Sequence, residues 1–430
     1  MSEPLLRACS AAEFARRRRG VAVLPEALAV AAPIVEDVRR RGAAALREHA
    51  ERFGEVGPSD SLIVERPALK RALHSLGATD RERLIRVADR IRVFADAQRR
   101  SLSEVTVPVP GGMAGQSVAP VGRAGCYAPG GRYPLPSSVL MTAVTARVAG
   151  VPEVWVASPR PGQLILAAAA VAGADAVLVA GGAQAIAALA YGAGPVPACD
   201  VVVGPGNRYV TAAKQVVAGA VGIDLLAGPS ELVVFADRTA DPGLVAADLL
   251  AQAEHDPDAV PVLVALDPDL PARIEKELTH QLSDLPTAEV ARAALSNGGV
   301  VAVNSLEAGI AACDAIAPEH LELLLAEAEA VAPRLAHYGA LFIGGGQVLG
   351  DYGAGPSHVL PTGGSARWAG GLSVFAFLRV RTWLRVDDRG AARGLAEDAS
   401  WFGRAEGLEA HARAVERRLP LGKTSASLHD

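Results

Sequence analysis

The sequence has few cysteines, and their arrangement excludes two ways of stabilising a fold. Only four of the 430 residues are cysteine, and they are far apart, with no C-x-x-C pair: Cys9, Cys126, Cys199 and Cys313. Such scattering excludes a disulfide framework and an all-thiolate metal site. It predicts reduced thiols in a cytoplasmic protein.

Long apolar runs and a strong excess of one charge are also missing. The longest apolar stretch, residues 164–174, is shorter than the roughly 18 residues that a membrane span requires. Lys and Arg total 42 against 47 Asp and Glu, a formal net charge of -5. No global field therefore attracts nucleic acid or anionic lipid. We expect a small-molecule partner, with no nucleic acid and no membrane.

What the sequence does contain is a change of hydrophobic period along the chain. Apolar residues recur every three or four positions over 29–53 and 79–102, which predicts a helical N-terminal region. Further on, short β-branched runs alternate with Ala-rich stretches. These runs are Val154–Ala157, Ala176–Ala180, Val201–Val203, Leu232–Ala236, Val260–Ala265, Val300–Val303 and Leu341–Ile343. The alternation predicts an α/β fold with two parallel sheets covered by helices, and residues 391–418 read as a helical tail.

Two of the predicted strands are followed by glycine-rich segments, Gly181-Gly182-Ala183-Gln184 and Gly204-Pro205-Gly206-Asn207. In open α/β sheets, anionic ligands bind at the carboxyl ends of strands, where backbone N–H groups and helix N-termini face them. The chain has no G-x-G-x-x-G, however, and glycines also serve ordinary tight turns. The glycines alone leave nucleotide binding and plain turns both open.

Gln252 and His255 are spaced three residues apart within a predicted helix. This spacing places both side chains on one helical face, so a single turn could supply two metal ligands. The alternative is a surface helix that ends in polar residues before Pro257.

Glu319 and His320 are adjacent and follow Pro318 at a predicted loop-to-helix junction. An acid and an imidazole side by side can divide proton transfer between them, because imidazole titrates near neutrality. The alternative is a Pro-led helix N-terminus in which the Glu favours the helix dipole.

Asp351 and His358 bracket a glycine-rich segment that follows the predicted strand Leu341–Ile343. Glycines this dense allow a ligand or metal to approach the backbone, although a polar surface loop is the alternative. His411, on the tail helix, means little by itself. An amide oxygen, a carboxylate and two imidazoles would suit zinc with open positions left for substrate, but spacing does not show that they converge.

Several segments together resemble the histidinol dehydrogenase family, in the family's order and over nearly the whole chain. They are Gly125-Cys-Tyr-Ala-Pro-Gly-Gly131 continuing to Gly150, Gly204-Pro-Gly-Asn-Arg-Tyr-Val210 through Gly228-Pro-Ser-Glu231, Gln252-Ala-Glu-His255, Glu319-His-Leu-Glu322, Gly350-Asp-Tyr352 through His358-Val-Leu-Pro-Thr362, and Glu406-Gly-Leu-Glu-Ala-His411.

The resemblance implies two incomplete Rossmann-like domains with smaller terminal segments. The expected divisions are an N-terminal arm at 1–20, a first domain at 21–125 plus 232–375, a second domain at 126–231, and a C-terminal helical tail at 376–430 that reaches a partner subunit. The expected assembly is an intertwined homodimer.

The resemblance also assigns roles to individual residues. The implied zinc ligands are Gln252, His255, Asp351 and His411, with His411 entering from the partner subunit. Glu319 and His320 match the catalytic pair, with His320 as base towards the alcohol and Glu319 activating water. These six residues, together with Ser230, His358 and Glu406, match the family's substrate-binding positions. Tyr127, Gln184 and Asn207 match the positions that contact NAD.

The implied reaction is the last step of histidine biosynthesis, the oxidation of L-histidinol through L-histidinal to L-histidine with two NAD. The segment Arg132-Tyr133-Pro134-Leu135 departs from the usual pattern and resembles relatives that oxidise other polar alcohols such as sulfonated diols. A zinc hydrolase and a catalytically silent relative are the alternatives from other classes.

Overall fold

The computed structural model describes residues 4–18, 23–130 and 134–418. Its helices are α1 (Ala11–Arg18), α2 (Pro25–Arg41), α3 (Ala43–Arg52), α4 (Arg66–His74), α5 (Ala78–Ser101), α6 (Pro136–Ala149), α7 (Gln163–Ala172), α8 (Gly182–Tyr191), α9 (Arg208–Val217), α10 (Pro242–Ala253), α11 (Leu270–Ser283), α12 (Ala288–Leu295), α13 (Leu306–Ile316), α14 (Ala328–Val331), α15 (Gln347–Asp351), α16 (Arg393–Ala405) and α17 (Glu409–Glu416). Its strands are β1 (Ile63–Glu65), β2 (Val105–Val109), β3 (Gly112–Pro120), β4 (Arg123–Tyr127), β5 (Glu153–Ala157), β6 (Ala176–Leu178), β7 (Val201–Val203), β8 (Gly222–Ile223), β9 (Glu231–Ala236), β10 (Val260–Ala265), β11 (Gly299–Ala302), β12 (His320–Leu324), β13 (Ala340–Ile343) and β14 (Leu378–Val386).

The chain forms two compact units, and the first comprises Met1–Arg99 with Val121–Phe377. One sheet of this unit has the strand order β1-β6-β5-β4-β7-β8, with all pairs parallel except β1 with β6. A second sheet has the order β11-β10-β9-β12-β13 and is parallel throughout.

Burial on both faces explains why these strands read as continuous apolar runs rather than alternating ones. Every residue of β9 and of β10 is buried. In the first sheet the covering helix α8 is buried from Ala183 to Ala190, and the small alanines let it approach its neighbours closely. Gly309 plays the same part in α13, because a Cβ there would lie 2.1 Å from the Phe235 ring.

Part of the predicted N-terminal arm packs on the second sheet. Ala8 forms a parallel bridge with Val300, and Leu6 and Phe14 are buried. The segment is therefore anchored by apolar contacts, and much of it is the helix α1.

The second unit comprises Arg100–Pro120 with Leu378–Asp430. It has an antiparallel sheet of order β14-β3-β2 and the helices α16 and α17. The strand β14 occupies the start of the predicted C-terminal tail, which is therefore helical only from α16 onward.

The predicted fold class is confirmed: the molecule is α/β with parallel sheets and with helices towards both termini. All seven strands predicted from β-branched runs are present, with ends shifted by at most two residues. No helix in the described part of the chain is long and apolar enough to cross a membrane. Arg132, singled out in the sequence, lies outside the described residues.

Candidate active site

A cavity of about 1130 Å³ lies within the first unit, where residues that follow strands of both sheets meet. It is lined by several of the residues predicted to bind ligands, namely Tyr127, Gln184, Asn207, Ser230, His255 and Asp351. Parallel strands bring their carboxyl ends to one edge of a sheet, which is why residues distant in sequence meet here.

The placement predicted for Glu319 and His320 is wrong. Instead of a loop-to-helix junction, Glu319 directly precedes β12 and His320 is its first residue, paired in register with Leu232 of β9. The residues of β12 up to Leu323 are buried, so pairing and packing in the sheet outweigh the helix signal of the preceding proline. The pair is consequently held on a rigid element, with 6% of Glu319 and 4% of His320 exposed.

The backbone of Glu231 orients both members of the pair. Its N–H donates to Oε2 of Glu319 at 2.8 Å, and its carbonyl oxygen lies 3.0 Å from Nδ1 of His320. A carbonyl can only accept, so Nδ1 carries the hydrogen and Nε2 of the neutral ring has the free lone pair. That Nε2 atom lies 3.6 Å from Oδ1 of Asp351. Glu231 was not predicted to orient the pair, because its backbone N–H and carbonyl make these contacts and no side-chain pattern marks them.

Charges around the imidazole decide its protonation. Burial acts to lower the pKa of His320, but the carboxylates of Glu319 and Asp351 outweigh it and raise the pKa to about 10. Burial acts to raise the pKa of Asp351, and the imidazoles of His255 and His320 hold it well below its usual range. A further cation beside Asp351 would reduce the attraction that keeps His320 protonated.

Gln252 and His255 do not share a helix as predicted. Helix α10 ends at Ala253, so Gln252 is helical and His255 follows the helix end, its Nε2 3.7 Å from Oδ2 of Asp351. Gln252 is fully buried, and neither the oxygen nor the nitrogen of its side-chain amide has a hydrogen-bond partner.

Unmade hydrogen bonds of a buried amide cost about 1–3 kcal/mol each, so Gln252 is expected to have a further binding partner. In the described residues, no group of three His, Cys, Asp or Glu side chains could by itself hold a metal ion. An amide oxygen, an imidazole and a carboxylate from Gln252, His255 and Asp351 nevertheless form a donor set that fits zinc.

His358 holds the backbone next to this set. Its Nδ1 donates to the backbone carbonyl of Asp351 at 2.9 Å, so Nε2 accepts from the hydroxyl of Ser138, which lies 3.1 Å away. Burial lowers the pKa of His358, which favours this neutral ring. Ser138 lies on α6, and no motif in the sequence predicts this contact.

The cavity wall also carries a second hydrogen-bond network. The N–H of Gly182 donates to the Tyr127 hydroxyl oxygen at 3.2 Å, and Nε2 of Gln184 donates to Glu55 at 3.1 Å. Glu55 also lines the cavity, and burial raises the pKa of its carboxyl group. Glu55 is a single acid after a helix, so no sequence pattern marks it as a cavity residue.

A buried ion pair fixes the loop that follows β7. Lys214 and Asp224 pair with side chains only 3% and 1% exposed. Lys214 donates to the carbonyl of Gly204 at 3.1 Å, and Asp224 accepts from the N–H of Gly204 at 2.7 Å. The same loop ends at Asn207, whose side chain caps α9 by accepting from two backbone N–H groups.

Glu406 and His411 belong to the second unit. Glu406 directly follows α16, and His411 lies on α17. Their assignment to the substrate and zinc sites stays a prediction.

Taken together, the fold and the site define an α/β enzyme, with a large cavity beside parallel strands and an oriented acid–base pair. Residues 17–419 match the family described as histidinol dehydrogenase. The chain is 48% identical to a histidinol dehydrogenase of Thermus thermophilus, over 95% of this chain and 98% of that one. It is 42% identical to one of Pseudomonas putida, over 90% and 89%.

A crystal structure of histidinol dehydrogenase from Elizabethkingia anophelis superposes with a TM-score of 0.89 at 29% identity, covering 97% of this chain and 99% of that one. The chain therefore belongs to the histidinol dehydrogenase family. It is an oxidoreductase of the alcohol dehydrogenase class. The predicted family and the predicted enzyme class are both confirmed.

Proposed function

We propose that the chain oxidises L-histidinol through L-histidinal to L-histidine, using NAD and a zinc ion, as the last step of histidine biosynthesis. Family membership over nearly the whole chain supports the substrate. The observation that carries the proposal is the Glu319–His320 pair, both oriented by the backbone of Glu231 next to Asp351.

His320 is the base that takes the hydroxyl proton, which requires its neutral ring. A cation held by Asp351 would offset the two carboxylates that raise the pKa of His320. Its Nδ1 is committed to the Glu231 carbonyl, so the proton is accepted at Nε2. The strand fixes the backbone of His320, and the hydrogen bond to Glu231 and the burial of the side chain hold the ring in this orientation.

Glu319 is the base that activates water for addition to the aldehyde. Its Oε2 is held by the Glu231 N–H, and the carboxylate takes a proton from water as the hydrate forms. The hydrate is the species from which the second oxidation proceeds.

Gln252, His255 and Asp351 would hold zinc together with His411 of the partner subunit, which makes an intertwined homodimer part of the proposal. Zinc, when bound, supplies a Lewis acid that binds and orients the nitrogen atoms of the amino alcohol. The buried side-chain amide of Gln252 has no hydrogen-bond partner, and a zinc ion bound to its oxygen would provide one. This supports the proposed set of ligands.

Tyr127, Gln184 and Asn207 would contact NAD in the cavity that all three line. NAD, when bound, supplies the hydride acceptor. Ser230, His358 and Glu406 would position the substrate. A Ser138 hydroxyl and the Asp351 carbonyl already fix the orientation of His358.

The test is NADH formation from L-histidinol by zinc-loaded protein, beside a sulfonated diol, with and without a chelator. We expect two NADH per histidinol, no NADH from the diol, and loss of activity on chelation. NADH from the diol alone would contradict the substrate, and amide hydrolysis without NADH would favour a zinc hydrolase.

A further inference from the structure

Glu55 is a cavity carboxylate whose backbone position is fixed by the end of α3. The helix stops at Arg52, and Gly54 adopts a left-handed φ of 65°. The N–H of Gly54 then bonds to the carbonyl of Glu51 at 2.9 Å, and the N–H of Glu55 to that of Ala50 at 2.8 Å. This pair of bonds is a Schellman motif, which defines where the chain leaves the helix.

The Glu55 carboxylate extends from this motif to the end of the first sheet. Its Oε1 accepts the N–H of Gly181 at 3.0 Å, and its Oε2 accepts Nε2 of Gln184 at 3.1 Å. A carboxylate has about four lone-pair positions, so each oxygen can accept one more hydrogen bond. Glu55 lines the cavity, and these remaining positions are therefore suited to hydroxyl donors from a ligand.

The wall beside Glu55 is apolar and includes an aromatic ring. Phe53, two residues earlier, lines the same cavity with 44% of its surface exposed, and Val30 and Ile34 of α2 line it as well. A flat ring flanked by aliphatic side chains suits a heteroaromatic base. An apolar wall next to a hydroxyl acceptor is the arrangement that a nucleoside requires.

The negative charge of Glu55 selects against phosphate at the same place. A phosphate group next to this carboxylate would meet like-charge repulsion in a partly buried site. Arg160 also lines the cavity and attracts the Glu55 carboxylate, so it is the neighbouring group that could accept a phosphate instead. In dinucleotide-binding folds, a carboxylate that accepts hydrogen bonds from the ribose hydroxyls selects NAD. An arginine that binds the 2′-phosphate selects NADP.

We propose that Glu55 binds the 2′- and 3′-hydroxyl groups of the adenosine ribose of NAD and thereby excludes NADP. The inference rests on the proposed function, because it takes the cavity to be the NAD site. Glu55 then acts on cofactor selection, whereas proton transfer is assigned to Glu319 and to His320, which lies beside Asp351.

The test compares Glu55→Gln with the wild type in the full-length, zinc-loaded protein. The amide keeps the size of the side chain and one acceptor for Gln184 or Gly181, while the charge is lost. The control variant is Glu51→Gln, which removes a carboxylate from the same helix end that pairs instead with Arg47 at 3.3 Å. ADP-ribose and 2′-phospho-ADP-ribose serve as calorimetric probes, and KM is measured for NAD and NADP.

We expect Glu55→Gln to weaken ADP-ribose binding and raise the KM for NAD by about tenfold to a hundredfold, the usual effect of a hydrogen bond to a charged group. Binding of 2′-phospho-ADP-ribose should be unchanged or tighter, so the preference for NAD narrows, with kcat nearly constant. Glu51→Gln should match the wild type in every measurement.

Two results would overturn the role of Glu55. If the affinities for both probes fell equally, Glu55 would only hold Gln184 and Gly181 in place. If the wild type bound 2′-phospho-ADP-ribose more tightly than ADP-ribose, Arg160 rather than Glu55 would govern this end of the cavity. Failure of the wild type to bind either probe would instead contradict NAD binding in the cavity, and the inference would fall with it.

Discussion

Replacement of Lys214 by methionine should destabilise the loop after β7 by an amount that the buried ion pair determines. Lys214→Met leaves Asp224 as a charge in a site where only 1% of its side chain is exposed. Breaking a buried pair in this way costs about 3–5 kcal/mol. Asp224 still accepts the N–H groups of Gly204 and Leu225, both at 2.7 Å, so we expect the lower end, about 3 kcal/mol.

Hydrogen exchange is the suitable assay, because a chain with two units does not have one well-defined free energy of unfolding. The amides of residues 201–225 should exchange about a hundredfold faster in Lys214→Met, which is the equivalent of about 3 kcal/mol. The KM for NAD should rise, since the same loop lines the cavity.

The double variant Lys214→Met/Asp224→Asn provides the decisive comparison. Asparagine carries no charge and keeps one of the two oxygens, so it can still accept from Gly204 or from Leu225 but not from both. Part of the lost protection should therefore return. If the double variant exchanges as fast as the single one, the buried charge is not the cause and the reasoning is refuted. The control is Arg334→Met at the exposed pair with Glu307, where the side chains are 45% and 71% exposed and no measurable change is expected.

Four further predictions concern three residues assigned to the site and the buried acid Glu322 of β12. His320→Asn should slow histidinol oxidation by about two to four orders of magnitude with zinc retained, as metal analysis beside steady-state kinetics would check. Glu319→Gln should slow oxidation of supplied aldehyde more than the first hydride transfer, and equal losses in single-turnover experiments would remove its special role. His411→Ala should lose zinc, and unchanged metal content would contradict the shared site. Burial and Asp248 raise the pKa of Glu322 from 4.5 to about 7, so folding takes up a proton. Stability from this group is therefore present at low pH and lost as pH rises from about 4.5 to 7. The hydrogen-exchange protection of the β12 amides should show this pH dependence in the wild type and lack it in Glu322→Gln.

Hydrophobic patterning was sufficient to predict the elements that dominate the core. Parallel strands buried on both faces produce β-branched runs, and for this reason β9 and β10 could be predicted nearly to the residue. The strand β12 could not be found in this way. It begins with His320 and contains Glu322, so its composition resembles a polar loop, and only its two paired neighbours make it a strand.

Family motifs singled out the side chains of the candidate site, whose roles stay predictions, but not the groups that support them. Family motifs identified Glu319 and His320, yet the atoms that orient them belong to the backbone of Glu231, which no side-chain pattern reveals. Lys214 and Asp224 were not selected either, because a lysine and an aspartate ten residues apart look like ordinary surface charges until the fold buries them.

Two parts of the sequence analysis stay predictions for a physical reason. The role proposed for His411 requires a second copy of the chain, so neither spacing nor a single subunit can test it. The predicted domain boundaries depend on which segments move or fold together. The hydrophobic period reports only local secondary structure and does not determine this.

Gly204 has a consequence for mutational tolerance. Its φ is 120°, and a Cβ at this position would lie 2.1 Å from the carbonyl oxygen of Tyr127. The ends of β4 and β7 therefore approach too closely for any side chain, alanine included. In a saturation library selected for growth without histidine, this codon should accept no replacement at all, whereas the exposed neighbour Arg208 should accept many.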